Sequence, residues 1–573
     1  MSEPNQTDQP RAGKPGKKEL SMEQRMLLAF GLMGVVLLVS QFLLPKPPDP
    51  PVKKTGTAAV TQAKQAAPEQ APANLSEKLP SPRTASSQPA SATQEETVEV
   101  VTDVYKVRFS NRGAVVHSWV LKKYQDSLGK PQELLNRRAI GKTGYPFATR
   151  LKNGESAQVL HQALHQMTVS PDKLRVEFVY GDAEWQARKI FQFKKDSYLT
   201  EVSSTLSQKG QPKQHLLSWR GGFGDETVIG AAASQHSVHF DLAETKLVVK
   251  DASAAKEGPI ADRGNYSFAG IEDSYFAAVA LPETTEGFEV HTLSDSIPSL
   301  DGKDELNAGI AVGGRDDNKF SLFVGPKDTD LLRSVSPRLE QLVDWGWLAL
   351  LAKPLFLVLN WLHDNYIPNY GWSIVLLTIA INFLLLPLKI TSLKSMKNMQ
   401  VLQPQIAEIN AKYKGLSMRD PKKANQNQEV MDLYKKHGVN PMGGCIPMVL
   451  QIPFFIAFYK VLSVAIEIRG ADWLWVSDLS RPETLAIRVL PIAMIASQFI
   501  MQKMTPTAGG DPSQQKIMML MPLFLGFMFY GVSSGLVLYW LTGNVVGIGQ
   551  QWFFNRTFHA SPAIKEPVKR KPK

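Results

Sequence analysis

The residues best placed to do chemistry in this 573-residue sequence are neutral amides inside long apolar stretches. They are Asn382, Gln451, Gln498, Asn544 and Gln550. Counting about 1.5 Å per residue from the inner end of each stretch puts these side chains near the middle of a bilayer or in its inner half. The sequence therefore predicts one uncharged polar layer that holds water within the membrane and lowers the cost of moving a short polar chain across it.

A structural role is the alternative for the same amides, because polar side chains in membrane bundles often only bond neighbouring helices. The stretch from Asn440 to Lys460 favours the functional reading. It is long and apolar enough to cross a bilayer, yet it contains Pro441, Pro447 and Pro453 as well as a mid-span glutamine. Lipid alone would penalise these features, so one side of this helix should face protein or water.

Apolar stretches and loop charges together predict a polytopic α-helical module of six spans, with both termini in the cytoplasm. The cationic excess of the segment after the second span, and of the C-terminal tail, fixes this orientation. The predicted segments are a cytoplasmic tail (1–25), a first anchor (26–44), a disordered periplasmic linker (45–97), a periplasmic β-sandwich (98–338), an interfacial amphipathic helix (339–365), the second span (372–388), a cytoplasmic helical hairpin (389–440), the third span (441–466), a periplasmic loop (467–485), the fourth span (486–502), a cytoplasmic loop (503–516), the fifth span (517–532), the sixth span (535–554) and a basic cytoplasmic tail (555–573).

Near the N-terminus, the apolar run 26–44 resembles a signal peptide, but it is longer than the usual apolar region and no small-x-small cleavage site follows it. An uncleaved anchor fits better. The Pro, Ala, Gln, Ser and Thr composition after it cannot bury enough surface to fold, so this part predicts a tether.

Strand patterns begin at Val98. Apolar residues alternate in several short runs separated by turn residues, as expected for a large all-β antiparallel sandwich of about 230 residues. The clearest runs are 105–109, 115–120, 174–180 and 189–193, with a turn at 111–113 and an end near 324–327.

Bulk composition and motifs argue against an enzyme. The net charge of +11 collects at membrane-flanking positions rather than in a basic and aromatic array, so sequence-specific nucleic acid binding is not expected. The single cysteine, Cys445, excludes an intramolecular disulfide. The pairs His161/His165 and His236/His239 lack partners for a known metal signature, and we find no nucleophile elbow, phosphate loop or dinucleotide fingerprint. No cofactor or metal is expected.

Several motifs resemble the YidC family of membrane protein insertases, in the form found in bacteria with two membranes. The similarity runs from the first anchor to the tail. Its most specific pieces are 343–347 (VDWGW), 402–404 (LQP), 440–445 (NPMGGC), 502–506 (QKMTP), 511–518 (DPSQQKIM) and 534–539 (SGLVLY).

The resemblance implies an insertase that takes hydrophobic segments of nascent membrane proteins from the cytoplasm into the inner membrane, alone or with the Sec translocon. It implies a hydrophilic groove formed by the last five spans, open to cytoplasm and lipid but closed outside. Contacts with the lipid bilayer, the ribosome and a targeting receptor are implied in the same way. The sandwich resembles a fold related to sugar-binding domains, but fold alone gives it no sugar ligand.

At one position the sequence departs from this family. Members usually carry arginine or lysine shortly before the Pro-Leu that ends the second span, and here Asn382 aligns with it. Thr378, Tyr539 and Trp540 match positions that the family uses to touch substrate. We therefore expect a groove that works by hydration and hydrogen bonding, with Lys460 too far toward the outer end to replace the missing cation.

Two other classes of function remain as alternatives. A small-solute transporter would show an internal repeat and a buried ionisable relay, which we do not find. A passive assembly scaffold would explain the sandwich and the tether but not the polar residues inside the spans.

Overall fold

The structure is a computed structural model that describes residues 91–152, 157–228, 230–413, 422–439, 446–505 and 512–557. The predicted N-terminal tail, first anchor and most of the linker lie outside the described residues, as do 440–445 and the end of the C-terminal tail. The chain forms two compact units. Among the described residues, one comprises those of 86–407 and 434–573, and the other comprises those of 408–433.

The first half of the described chain is built from strands. They are β1 (Thr97–Val101), β2 (Tyr105–Ser110), β3 (Val115–Gln125), β4 (Pro131–Glu133), β5 (Ala148–Leu151), β6 (Gln166–Val169), β7 (Arg175–Gly181), β8 (Trp185–Phe193), β9 (Leu199–Gln208), β10 (Gln211–Pro212), β11 (His215–Trp219), β12 (His236–Asp241), β13 (Lys246–Asp251), β14 (Ile260–Arg263), β15 (Tyr266–Glu272), β16 (Phe276–Pro282), β17 (Glu289–Pro298), β18 (Asp304–Arg315) and β19 (Asp317–Pro326).

These strands pair antiparallel in three sheets. The largest has the order β13-β12-β15-β16-β19-β9-β8-β7-β6, with β10 beside β9. The others are β1-β2-β3-β4 and β14-β17-β18-β11-β5. The predicted mostly-β antiparallel sandwich is confirmed, and its last strand ends at Pro326, inside the expected segment.

Alternating burial explains the core of the sandwich. In β2, Tyr105, Val107 and Phe109 are buried while the residues between them are exposed, as the pattern predicted. Rings from β2 meet rings from the largest sheet, and Phe109 lies 4.8 Å from Phe191 between ring centroids. Lys189 is an exception, because it also faces inward and its Nζ donates to the carbonyl of Phe147 at 2.7 Å. Hydrogen bonds to backbone carbonyls compensate for burying this amine.

Helices dominate the second half of the described chain. In order along the chain the helices are α1 (Ile140–Thr143), α2 (Gln158–Gln162), α3 (Thr329–Val335), α4 (Ala349–Asn365), α5 (Tyr370–Leu384), α6 (Leu386–Val401), α7 (Gln403–Lys412), α8 (Lys422–Lys436), α9 (Ile446–Val464), α10 (Val489–Met504), α11 (Pro512–Phe529) and α12 (Ser534–Thr557). Short 3-10 turns occupy Ala231–Ser234, Ala252–Ala255, Pro337–Leu342 and Ile466–Ile468.

Among the described residues, no single helix is both long and apolar enough to cross a bilayer on its own. Helices α5 and α6 satisfy both conditions as a pair, joined at a bend of 58°. Shorter apolar segments cover Gln451–Val464, Val489–Met504 and Met519–Phe529. The long apolar stretch after residue 517 is divided between α11 and α12, and the break at 530–533 lies near the predicted boundary between the fifth and sixth spans.

Within the smaller unit, side chains join the end of α7 to α8. Tyr413 donates its hydroxyl to Glu429 Oε1 at 2.7 Å, and Gln426 Nε2 donates to Asn410 Oδ1 at 2.6 Å. Lys412 lies 3.6 Å from the same glutamate. These contacts hold the two helices side by side.

Candidate functional site

Helix α12 brings the sequence-predicted polar residues together, because it packs against α5, α9 and α10. At about 100° per residue, Tyr539, Gly543 and Gln550 fall within about 40° of one another around its axis. Trp540 and Asn544 lie on the neighbouring face, about 100° to 140° round from Tyr539. The helix therefore presents one polar face to α5 and α9 and another to α10.

The first face holds a polar cluster around Asn382, which is only 4% exposed. Asn382 Nδ2 donates to the carbonyl of Thr378 one turn earlier at 2.8 Å. Its Oδ1 accepts from Lys389 Nζ at 2.6 Å, and its own carbonyl accepts from Gln550 Nε2 at 3.2 Å. Lys389 also reaches Gln550 Oε1 at 3.4 Å. An ammonium group and two amides thus share one hydrogen-bonded cluster.

Gln451 reaches the same face of α12 from α9. Its side chain is hydrogen-bonded to that of Tyr539, whose ring stacks on Phe458 with centroids 4.6 Å apart. A methyl group on Gly543 would lie 3.8 Å from Asn382 Nδ2 and 4.0 Å from Gln451 Nε2. Both amides therefore lie against the bare backbone of α12 at this glycine.

The second face of α12 meets α10 through two hydrogen bonds. Trp540 Nε1 donates to Gln498 Oε1 at 3.3 Å, and Asn544 Nδ2 donates to Ser497 Oγ at 2.9 Å. Trp540 also packs edge-on against Phe455, with ring centroids 4.9 Å apart. These pairs tie α10 to α12, which is the structural role that the sequence left open for such amides.

The prediction of one uncharged layer is wrong on two counts. Lys389 puts a cation against Asn382, and the amides divide between two faces of α12. They also differ in depth, since Tyr539 and Gln550 are about 16 Å apart along the helix axis. The cation was missed because Lys389, the first residue after the predicted second span, counted only toward the cationic excess that sets the predicted orientation.

A sequence signal for Lys389 did exist. It follows Asn382 by seven residues, a spacing that brings side chains to the same side of a helix after two turns. The 58° bend between α5 and α6 lies within this interval.

The side chains of two other residues discussed from the sequence, Thr378 and Lys460, bond groups outside the polar cluster around Asn382. Thr378 is fully buried and donates its hydroxyl to the carbonyl of Ile374 at 2.6 Å, so it bonds within its own helix. Lys460 on α9 lies 2.6 Å from Asp344 Oδ2, in the segment between the sandwich and α4. This ion pair agrees with the expectation that Lys460 does not replace the cation in the groove.

A polar cleft of about 460 Å³ lies beside the C-terminal ends of α6, α10 and α12. Its walls include Lys397, Gln400, Lys503 and Asn555. Lysines therefore line the cleft from α6 and α10, and side-chain amides line it from α6 and α12.

The histidine pairs lie in the sandwich. His161 Nε2 bonds the carbonyl of Thr149 at 2.7 Å, and His165 Nδ1 lies 3.2 Å from the carbonyl of Asn111. His239 packs edge-on against Tyr266. Within the described ranges, no group of three or more His, Cys, Asp or Glu side chains could hold a metal ion.

Two family models match the chain. The YidC periplasmic domain matches residues 97–358, and the 60Kd inner membrane protein family matches residues 361–561. Together they cover both the sandwich and the helices that carry the candidate site.

Relatives match most of the length of this chain. The membrane protein insertase YidC of Syntrophus aciditrophicus is 35% identical over 566 residues, which are 93% of this chain and 100% of the relative. The protein of the same name from Cupriavidus necator is 35% identical over 486 residues, 80% of this chain and 83% of the relative. Among solved structures, an active YidC insertase with its first transmembrane domain resolved is 19% identical and covers 82% of this chain and 95% of its own, with a TM-score of 0.36. By the two family models and the full-length relatives, this chain belongs to the YidC family of membrane protein insertases.

Proposed function

We propose that this chain moves hydrophobic segments of newly made proteins from the cytoplasm into the inner membrane through a polar groove beside α5, α9 and α12. The cluster of Lys389, Asn382 and Gln550 carries this proposal, because an ammonium group among apolar helices has a cost that a purely structural bundle would avoid. Its hydrogen bonds to the two amides lower that cost. The groove needs no nucleotide and no cofactor, and the chain is not an enzyme.

The positive charge of Lys389 explains how the cluster could assist insertion. The polar, often acidic tail of a client loses hydration when it enters the membrane, and this loss is the main barrier to insertion. A fixed cation close to that path attracts the tail, and the interaction is stronger there than in water because the surroundings are less polar. Gln451 and Tyr539 extend the polar path along the same face of α12. The hydrophobic segment can then pass into lipid while its tail crosses.

The arrangement of the chain in the membrane is part of the proposal. Six spans, cytoplasmic termini and a periplasmic sandwich account for the loop charges. Exposed apolar residues on and near α4 support an interfacial position for this helix, since Trp347 is 77% exposed, Leu350 93% and Trp361 52%. The segment boundaries proposed from the sequence complete this scheme.

The hairpin 389–440 is proposed to lie in the cytoplasm and to receive clients. The bonds between Tyr413 and Glu429, and between Gln426 and Asn410, support a hairpin, and its excess of lysine supports the cytoplasmic side. The Sec translocon, the ribosome and a targeting receptor are proposed as its partners on the strength of family membership.

Purified protein in liposomes tests the function. A small single-span client added without Sec should insert and become protected from external protease, whereas empty liposomes should leave it digested. A flux of small solutes without insertion would favour a transporter. Failure of both activities in folded protein would favour a scaffold.

A further inference from the structure

The segment between α9 and α10, residues 465–488, contacts the N-terminal ends of three helices; we call it the outer loop. Ser534 N and Gly535 N, at the start of α12, donate to the carbonyls of Arg481 at 2.7 Å and Leu479 at 2.8 Å. The first amides of a helix have no partner within it, so the outer loop supplies the acceptors that α12 needs.

Helices α10 and α5 depend on the same loop. Glu483 is 4% exposed, and its Oε2 accepts from Leu490 N in the first turn of α10 at 2.9 Å. A carboxylate there also suits the positive end of the helix dipole. The ring of Trp473 covers Gly371 at the start of α5 so closely that a methyl group on this glycine would overlap it. The outer loop thus sets the positions of three helix ends.

One aspartate of the sandwich, Asp225, bonds two arginines of this loop. Asp225 Oδ2 accepts from Arg469 at 2.6 Å and from Arg481 at 2.9 Å. The side chains of Asp225 and Arg469 are 6% and 5% exposed. Arg469 also donates to Gln132 Oε1 at 2.7 Å, and its guanidinium lies 5.0 Å from the ring centroid of Tyr275. The arginine is therefore enclosed by sandwich residues although it belongs to the outer loop.

Asp225 is itself fixed on the sandwich side. Its Oδ1 accepts from Thr227 N at 3.0 Å, and its own N–H points to Asp273 Oδ2 at 3.3 Å. One carboxylate oxygen therefore bonds its own turn while the other faces the two arginines of the outer loop. Removing the Asp225 carboxylate would leave two guanidinium groups without their shared acceptor. A shift of Asp225 should therefore shift both arginines of the outer loop.

We propose that Asp225 is a positioning residue for insertion, through which the sandwich fixes the outer loop and hence the start of α12. The path is short. Arg481 bonds Asp225 with its side chain and Ser534 with its carbonyl, and Tyr539 lies about 7.5 Å further along α12. This inference rests on the proposed function, since it gives the sandwich a part in keeping the groove in shape.

Hydrogen–deuterium exchange of the full chain in nanodiscs tests the proposal. Asp225→Ala should speed exchange of the Ser534, Gly535 and Leu490 amides at least tenfold, and it should leave the amides of β8 at the wild-type rate. Asp295→Ala is the matched control. Asp295 is likewise buried and paired with an arginine, Arg220, but both partners lie within the sandwich.

A second variant removes the contact from the other side. Arg481→Gln leaves the sandwich intact and keeps Arg469 on Asp225, and it should speed exchange at Ser534 and Gly535 in the same direction. Insertion per folded molecule should fall at least threefold in Asp225→Ala and stay at the wild-type level in Asp295→Ala. Wild-type exchange at the start of α12 in both Asp225→Ala and Arg481→Gln would overturn the proposal. Exchange is measured without a client, so a wild-type chain that inserted nothing would count against the proposed function and not against this link.

Discussion

Lys389 Nζ lies 2.6 Å from Oδ1 of Asn382, although the two residues belong to different helices with a 58° bend between them. Asn382 stands at the position where the resemblance to the family led us to expect an arginine or a lysine. The ammonium of Lys389 therefore supplies a positive charge at the place where the sequence alone suggested that none was present. A neutral residue at the aligned position need not make the groove neutral.

The face of α12 that meets α10 should matter for stability more than for insertion. Ser497→Ala removes the acceptor of Asn544 Nδ2, and hydrogen bonds between membrane helices contribute about 0.6 kcal/mol on average. We expect a small fall in the thermal inactivation temperature in detergent and wild-type insertion per folded molecule. A large loss of insertion at unchanged stability would contradict this division of the two faces.

Topology can be checked by labelling single cysteines in intact cells, in a Cys445→Ser background. A membrane-impermeant reagent should reach Ser91→Cys and Thr484→Cys, both at exposed positions, because we propose that they face the periplasm. It should reach Asn425→Cys, also exposed, only after the cells are opened. Labelling of Asn425→Cys in intact cells would refute the proposed orientation.

Clients should be received by the separate unit formed by residues 408–433, which includes most of α8. Replacing residues 408–433 by a flexible Gly-Ser linker removes this part of the chain without touching the sandwich or the cluster around Lys389. We expect the variant to reach the membrane in normal amounts and to lose insertion of clients that are still being translated. Normal insertion of such clients would rule out this role.

Acid should destabilise the sandwich partly through His215. Burial is the main cause that lowers the pKa of His215 to about 4, while an unfolded histidine titrates near its ordinary value of 6.5. The unfolded chain therefore binds the extra proton first as the pH falls. The contribution of His215 to stability is complete above about pH 6.5 and is lost toward pH 4, a change of about 3 kcal/mol.

His215→Gln provides the comparison for this effect. The wild-type ring lies 2.8 Å from Ser204 Oγ through Nε2 and 3.2 Å from the carbonyl of Lys213 through Nδ1. Urea unfolding of the full chain in detergent at pH 7 and pH 4 should show a steeper loss for wild type than for the variant. Equal losses would mean that His215 keeps an ordinary pKa in the folded chain.

Local patterns predicted much of this molecule, and contacts between distant residues explain what they missed. The alternation of Tyr105, Val107 and Phe109 specifies a half-buried strand by itself, so β2 and the sandwich could be expected. The position of Lys389 depends on a bend, and the sequence showed only a proline near the end of a span. Arg469 contacts Asp225 although 244 positions separate them in the sequence. No local pattern around either residue predicts this contact.

Lys389 should attract the translocated tail of a client. Paired single-span clients that differ only in acidic residues of that tail test it in liposomes. Lys503→Gln is the control, since Lys503 is an exposed lysine at the end of α10. Lys389→Arg should keep the wild-type preference for the acidic tail.

The decisive measurement is the ratio of acidic to neutral client inserted by Lys389→Gln. We predict that this ratio falls about tenfold from the wild-type value, equivalent to about 1.4 kcal/mol. The same ratio in Lys389→Gln as in wild type, with both proteins folded, would contradict the account.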